Sequence, residues 1–111
     1  MKIRVLYLKE CPNAGPALNL LRQGLHAKNV KEEIEVIEIR NEEEAKKHKF
    51  LGSPTIQING RDIEQEKRAA PTFFGCRIYE SGNGYSGVPP KEMIINAIEE
   101  AIHRSTRSVK S

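Results

Sequence analysis

The sequence predicts an α/β fold, a four-stranded mixed sheet with helices on both faces in the order β-α-β-α-β-β-α. Three observations carry this. Short apolar, β-branched runs alternate with stretches whose apolar residues recur at helical spacing. An Asn-Gly pair separates two short segments in the second half, the strongest two-residue hairpin signal. The 111 residues make one domain, long enough for a core that needs no disulfide or metal.

Ile3 to Leu8 reads as a buried strand ending in the turn Lys9-Glu10-Cys11-Pro12. From Ala14 the apolar residues Ala17, Leu18, Leu21 and Leu25 fall on one helical face. Pro12 and Pro16 fit only in a first turn, where a missing N–H costs nothing, so the helix starts close behind Cys11. Ile34, Val36, Ile37 and Ile39 form the second strand. Asn41 caps a short helix with Glu42, Glu43 and Glu44 in its first turn and Lys46, Lys47, His48 and Lys49 in its last. That arrangement suits the macrodipole and needs no ligand to explain it. Thr55-Ile56-Gln57-Ile58, the turn Asn59-Gly60 and the return Arg61-Asp62-Ile63-Glu64 make the hairpin. Pro89-Pro90 introduces a last helix with the face Ile94, Ile95, Ile98, Ala101 and Ile102. The first β-α-β is expected to be a right-handed parallel crossover.

Several function classes are excluded or disfavoured. The net charge of +3 comes from basic residues interleaved with fifteen acids, so the sequence shows no nucleic-acid footprint. Part of the surplus, Arg104, Arg107 and Lys110, lies near the C-terminus, and 105–111 reads as a flexible basic tail. No apolar run reaches the ~18 residues of a membrane span. Met1-Lys2-Ile3-Arg4-Val5 lacks the apolar core of a signal peptide, so a cytoplasmic protein is expected. Structural zinc wants about four ligands, and Cys11, Cys76, His26, His48 and His103 have no ligand spacing. The expectation is a monomer with no cofactor, metal, nucleic-acid or membrane partner.

Gln65 to Val88 resists the scheme. It holds four of the six aromatics (Phe73, Phe74, Tyr79, Tyr85), four of the eight glycines, and Cys76. A long irregular segment in a small domain is functional, disordered or a misread element. Cys76-Arg77-Ile78-Tyr79 could be a short extra strand, and Phe73, Phe74 and Tyr79 could pin the loop over a sheet edge.

Cys11 is the sharpest chemical candidate. At a strand-to-helix turn, the helix dipole and free backbone N–H groups favour a thiolate and lower a pKa of about 8.5. Ligands also collect at the C-terminal ends of sheet strands. The bland alternative is a small residue at a helix start. Ser53-Pro54-Thr55, just ahead of the third strand, is the second candidate, and a proline there is also tolerated on structural grounds alone.

Cys11-Pro12 at the first helix, Ser53-Pro54-Thr55 before a hairpin, and the element order together resemble the thioredoxin-like superfamily at glutaredoxin size, over roughly residues 1–64 and 90–103. The resemblance implies a thioredoxin-like domain at 1–104 with an inserted loop at 65–89. It makes Cys11 the attacking cysteine and Pro54 a cis-proline. Pro12, Ser53, Pro54 and Thr55 become substrate-binding residues, with the Ser53 backbone pairing to a peptide or thiol substrate. The family's second cysteine would stand at position 14, where this chain has Ala14, so Cys11-Pro12-Asn13-Ala14 is a monothiol variant. A mixed disulfide on Cys11 would then be resolved by an external thiol or by Cys76, if Cys76 is not a core thiol between Phe74 and Ile78.

The expected function is thiol–disulfide exchange with a protein or small-molecule thiol or disulfide. Gly87-Val88-Pro89-Pro90 also resembles small prokaryotic thioredoxin-like proteins, some of them labelled alkylmercury lyases. Two facing thiolates could hold a soft metal or organomercurial. A non-catalytic binding module is the third reading.

Overall fold

The computed structural model describes residues 1–82 and 84–110, with residues 105–110 as helix backbone only. The elements are β1 (Ile3–Tyr7), α1 (Ala14–Ala27), β2 (Ile34–Glu38), α2 (Glu42–His48), β3 (Thr55–Ile58), β4 (Arg61–Asp62), a 3-10 turn (Gln65–Lys67), β5 (Tyr79–Ser81), β6 (Gly84–Ser86) and α3 (Lys91–Lys110). The main sheet has the order β2-β1-β3-β4. β1 runs parallel to β2 and antiparallel to β3, and β4 closes the edge antiparallel to β3. β5 and β6 form a separate antiparallel hairpin.

Alternation along β1 sorts the core into two layers. Ile3 and Val5 join Ile56, Ile58, Leu21, Leu25, Ile94 and Ile98 in the cluster beneath α1 and α3. Leu6 points the other way, into a smaller cluster with Ile39, Ala45 and Phe50 under α2. Helices therefore cover both faces, as expected. Gly24 lets α1 and α3 approach closely, since a Cβ there would lie 3.2 Å from Ile94 and Ile98 side-chain carbons.

The local signals hold where they are strongest. Asn41 Oδ1 accepts the Glu44 N–H at 2.9 Å and caps α2. Asn59 and Gly60 both take positive φ, 55° and 78°, in the hairpin turn. The element ends differ for traceable reasons. β1 stops at Tyr7 rather than Leu8 because the Leu8 N–H turns away to Ser53 Oγ, 2.9 Å distant. β4 stops at Asp62 rather than Glu64 because Asp62 Oδ2 accepts the Glu64 N–H at 2.9 Å, a side-chain turn that bends the chain into the 3-10 segment. α3 runs to Lys110, and the side chains of the basic tail at 105–111, with Ser111 itself, lie outside the described residues. Among the described residues no helix is long and apolar enough to cross a membrane.

Arg68 ties the hairpin to α3. Its guanidinium donates to both Glu100 carboxylate oxygens at 2.6 and 3.0 Å and to the Asp62 carbonyl at 2.8 Å. The Arg68 hydrogen bond holds the Glu100 carboxyl at about 2, below its ordinary 4.5, against the opposing pull of burial. A carboxylate whose folded value is depressed adds stability above its unfolded value and loses it as pH falls. Glu100→Gln should therefore cost about 1 kcal/mol near neutral pH, after solvent screening of this partly exposed pair. The difference from the wild type should vanish as pH falls from 4.5 toward about 2, as followed by urea unfolding across that window.

Candidate functional site

Ser53 is the hub of the site. Its Oγ accepts the Leu8 N–H, and the Leu8 carbonyl in turn accepts the Cys11 N–H at 3.0 Å. This chain of bonds fixes the turn after β1 and holds Cys11, half-buried, at the C-terminal end of the central strand. α1 begins three residues later. Its N-cap is Asn13, whose side chain makes no capping bond, and its first turn carries no acidic residue. The connection into α3 packs against this end, because a Cβ at Gly87 would overlap the Asn13 side chain.

On the other side of Ser53 lies a strap drawn from the segment that sequence alone left unexplained. The Phe73 N–H bonds the Phe50 carbonyl at 2.9 Å. The Ser53 N–H donates to the Gly75 carbonyl at 2.8 Å, and the Arg77 N–H donates to the Ser53 carbonyl at 3.0 Å. Together these make an isolated parallel bridge between Ser53 and Cys76. The Tyr79 hydroxyl donates to the Pro54 carbonyl. The Ser53–Pro54 peptide bond is cis. Gly52 has φ +106°, and a Cβ there would stand 2.9 Å from Arg77 Cβ, so the strap runs hard against residue 52.

Arg77 anchors the strap in the interior. Its guanidinium donates to both Asp62 oxygens at 2.8 and 2.6 Å, to Glu64 at 3.1 Å and to Thr55 Oγ1 at 3.3 Å. It also lies 4.2 Å from the centre of the Tyr79 ring. The side chains of Arg77, Asp62 and Glu64 are each only 5% exposed, so one cation is buried between two carboxylates. Burial works against the Arg77 charge, but the hydrogen bonds to Asp62 and Glu64 outweigh it and hold the guanidinium above its ordinary range. Burial above all raises the Tyr79 hydroxyl, with the Arg77 charge opposing. Among the described residues no buried side-chain nitrogen or oxygen lacks a partner, so the network is complete.

A family model described as a domain of unknown function (DUF2703) matches residues 13–98, most of the chain. The chain belongs to this family. No curated protein and no solved structure matches it. The DUF2703 span takes in Ser53, the strap and the Asp62–Glu64–Arg77 cluster, and it opens two residues after Cys11.

Within this DUF2703 protein the predicted site residues separate by exposure. Pro12 is exposed and Cys11 half-buried, while Ser53, Pro54 and Thr55 are all buried. Cys76 is exposed, and both cysteines are free thiols. The reading of Cys76 as a core thiol between Phe74 and Ile78 is therefore wrong, since Phe74 and Ile78 are exposed too. Of the three aromatics expected to pin the loop, only Tyr79 is buried. Phe73 is 55% exposed. The helix does start close behind Cys11, but its N-cap is Asn13, two residues on, because residues 12 and 13 are taken up by a turn. Arg68 and Arg77 both point into ion pairs, with Glu100 and with Asp62 and Glu64.

The residues that sequence reasoning missed are Gly52, Asp62, Glu64 and Arg77, along with the bond from the Tyr79 hydroxyl to Pro54. Their signal was present as spacing. Asp62 and Glu64 are two apart, as are Arg77 and Tyr79, and period 2 sends each pair to one face of extended chain. Among the described residues there is no group of three or more His, Cys, Asp or Glu able to hold a metal ion.

Proposed function

We propose that this chain is a thioredoxin-like thiol–disulfide oxidoreductase in which Cys11 attacks and Cys76 resolves. One observation carries the reading: the backbone on either side leads from both cysteines to the same buried residue. Cys11 hangs from Ser53 through Leu8, and Cys76 is its bridge partner across the strap. The element order, with Cys11 after the first strand and Ser53-Pro54-Thr55 leading into β3, supports the family resemblance. Cys11 is half-buried and Cys76 exposed, and neither is tied up in a disulfide.

The reaction runs in two exchanges. The Cys11 thiolate attacks one sulfur of a substrate disulfide, forming a mixed disulfide and expelling the first substrate thiolate. The Cys76 thiolate then attacks Cys11 Sγ, forming the Cys11–Cys76 disulfide and expelling the second. The substrate gains two electrons, the protein loses two, and an external thiol reductant returns the protein to the dithiol state. Cys76 thus takes the role that Ala14 leaves empty.

Trapping tests this. The reduced protein, mixed with bis(2-hydroxyethyl) disulfide and mapped by mass spectrometry, should yield a Cys11–Cys76 linked peptide. Cys76→Ser should stop at a mercaptoethanol adduct on Cys11, and Cys11→Ser should form no linked peptide. An adduct on Cys76 alone, with Cys11 untouched, would overturn the assignment of roles. The same two thiols also favour a soft-metal reading. Stoichiometric Hg(II) capture that each single variant loses, without disulfide exchange, would put it in place of the redox reading. Neither reaction would leave the binding module.

A further inference from the structure

The backbone edge beside the Cys11 turn is already occupied, and by the protein itself. An extended polypeptide is recognised through its main chain where it meets an unpaired N–H and C=O. Ser53 is joined to the Cys11 turn through Leu8, and both its backbone groups are engaged, the N–H by the Gly75 carbonyl and the carbonyl by the Arg77 N–H. The strap that engages them is fastened on both sides of the bridge. Phe73 bonds Phe50 upstream, and Tyr79, fully buried, bonds Pro54 downstream. Between them Arg77 is sunk against Asp62 and Glu64. Lifting the strap would pull a guanidinium away from two buried carboxylates, which strongly disfavours the open state.

The outer side of the strap remains accessible. Cys76 lies on the wall of a cleft of about 210 Å³ lined also by Leu51, Lys67, Pro71, Phe73 and Ile78. Cys11 does not line this cleft, which belongs to the Cys76 side of the strap.

We infer that Phe73–Tyr79 is a fixed internal occupant of the Ser53 edge, so that Cys11 exchanges with low-molecular-weight disulfides, taken without main-chain pairing, and not with extended polypeptides. The inference rests on the thiol-exchange reading above and narrows its substrate. It also corrects the use expected of Ser53: its backbone presents Cys76 rather than a substrate chain.

Two probes with the same electrophile test it. One is bis(2-hydroxyethyl) disulfide, and the other is an extended peptide whose single cysteine is capped as the mercaptoethanol disulfide. In Cys76→Ser, adduct formation at Cys11 should run at similar rates with both. Two productive main-chain hydrogen bonds would favour the peptide by roughly tenfold. Such a preference in Cys76→Ser would overturn the inference. Adding Arg77→Gln, which loosens the anchor, should move the rate ratio about tenfold toward the peptide. A folded Arg77→Gln protein with an unchanged ratio would count against it. If that variant does not fold, hydrogen exchange on the wild type decides. The Ser53 and Arg77 amides should be protected and stay so when the peptide is added, whereas exchange at the rate of an unstructured amide would refute an occupied edge. Absence of any Cys11 adduct with either probe is a different result, which removes the exchange reading itself.

Discussion

Arg77→Ala should cost this protein about 3–5 kcal/mol, a large share of the roughly 5–15 kcal/mol that holds a domain folded. The reason is what the side chain leaves behind. Asp62 and Glu64 are both buried, and Arg77 is the cation that bonds both carboxylates at 2.6–3.1 Å. Without it two like charges face each other in a poorly solvated interior, and Thr55 and the Tyr79 ring lose a neighbour. Urea unfolding at neutral pH measures the loss. The triple variant Arg77→Ala/Asp62→Asn/Glu64→Gln separates charge from packing. If stranded charge dominates, it should recover about 2 kcal/mol or more, because removing a whole buried ionic cluster is far milder than removing one member. No recovery would mean that Arg77 acts mainly by filling space.

This cluster also shows where sequence reasoning stopped. The main sheet and its helices were legible because each rests on a local rule: β-branched runs for β1 and β2, the Asn41 cap for α2, Asn59-Gly60 for the hairpin, and Pro89-Pro90 ahead of α3. Cys11 and Ser53-Pro54-Thr55 were legible as a pair of motifs at strand ends. The strap was not, because nothing local makes it a strand. Its geometry comes from contacts across long stretches of chain, Arg77 with Asp62 and Glu64, Gly75 with Ser53, Tyr79 with Pro54. Composition pointed to the right segment for the wrong reason. The aromatics suggested hydrophobic pinning by Phe73, Phe74 and Tyr79, yet only Tyr79 is buried, and the buried Arg77 adds a charged anchor that composition did not suggest. An arginine between a cysteine and an isoleucine looks like a surface residue until its two carboxylate partners are known.

The tightest joint between fold and site is Gly52, and Gly52→Ala should be the next most damaging change, at about 2–3 kcal/mol. Two effects combine. At φ +106° an L side chain is strained whatever surrounds it. The new Cβ would also stand 2.9 Å from Arg77 Cβ and 3.3 Å from both Arg77 Cα and the Gly75 carbonyl oxygen, so the strap backbone has to shift. Gly60 supplies the control. It too has positive φ, +78°, but a Cβ there meets nothing within 4 Å, so Gly60→Ala should cost only about 1 kcal/mol. Equal losses in the two variants would show that the strap does not press on residue 52. A larger loss in Gly52→Ala, with faster amide exchange at Ser53 and Arg77, would show that it does. A displaced strap also moves Cys76 away from its place opposite Ser53. Under the proposed exchange, Gly52→Ala should then slow formation of a Cys11–Cys76 disulfide while leaving the first attack by Cys11 less affected. That split makes residue 52 a positioning residue for the second exchange, because a purely global loss of stability would slow both steps together.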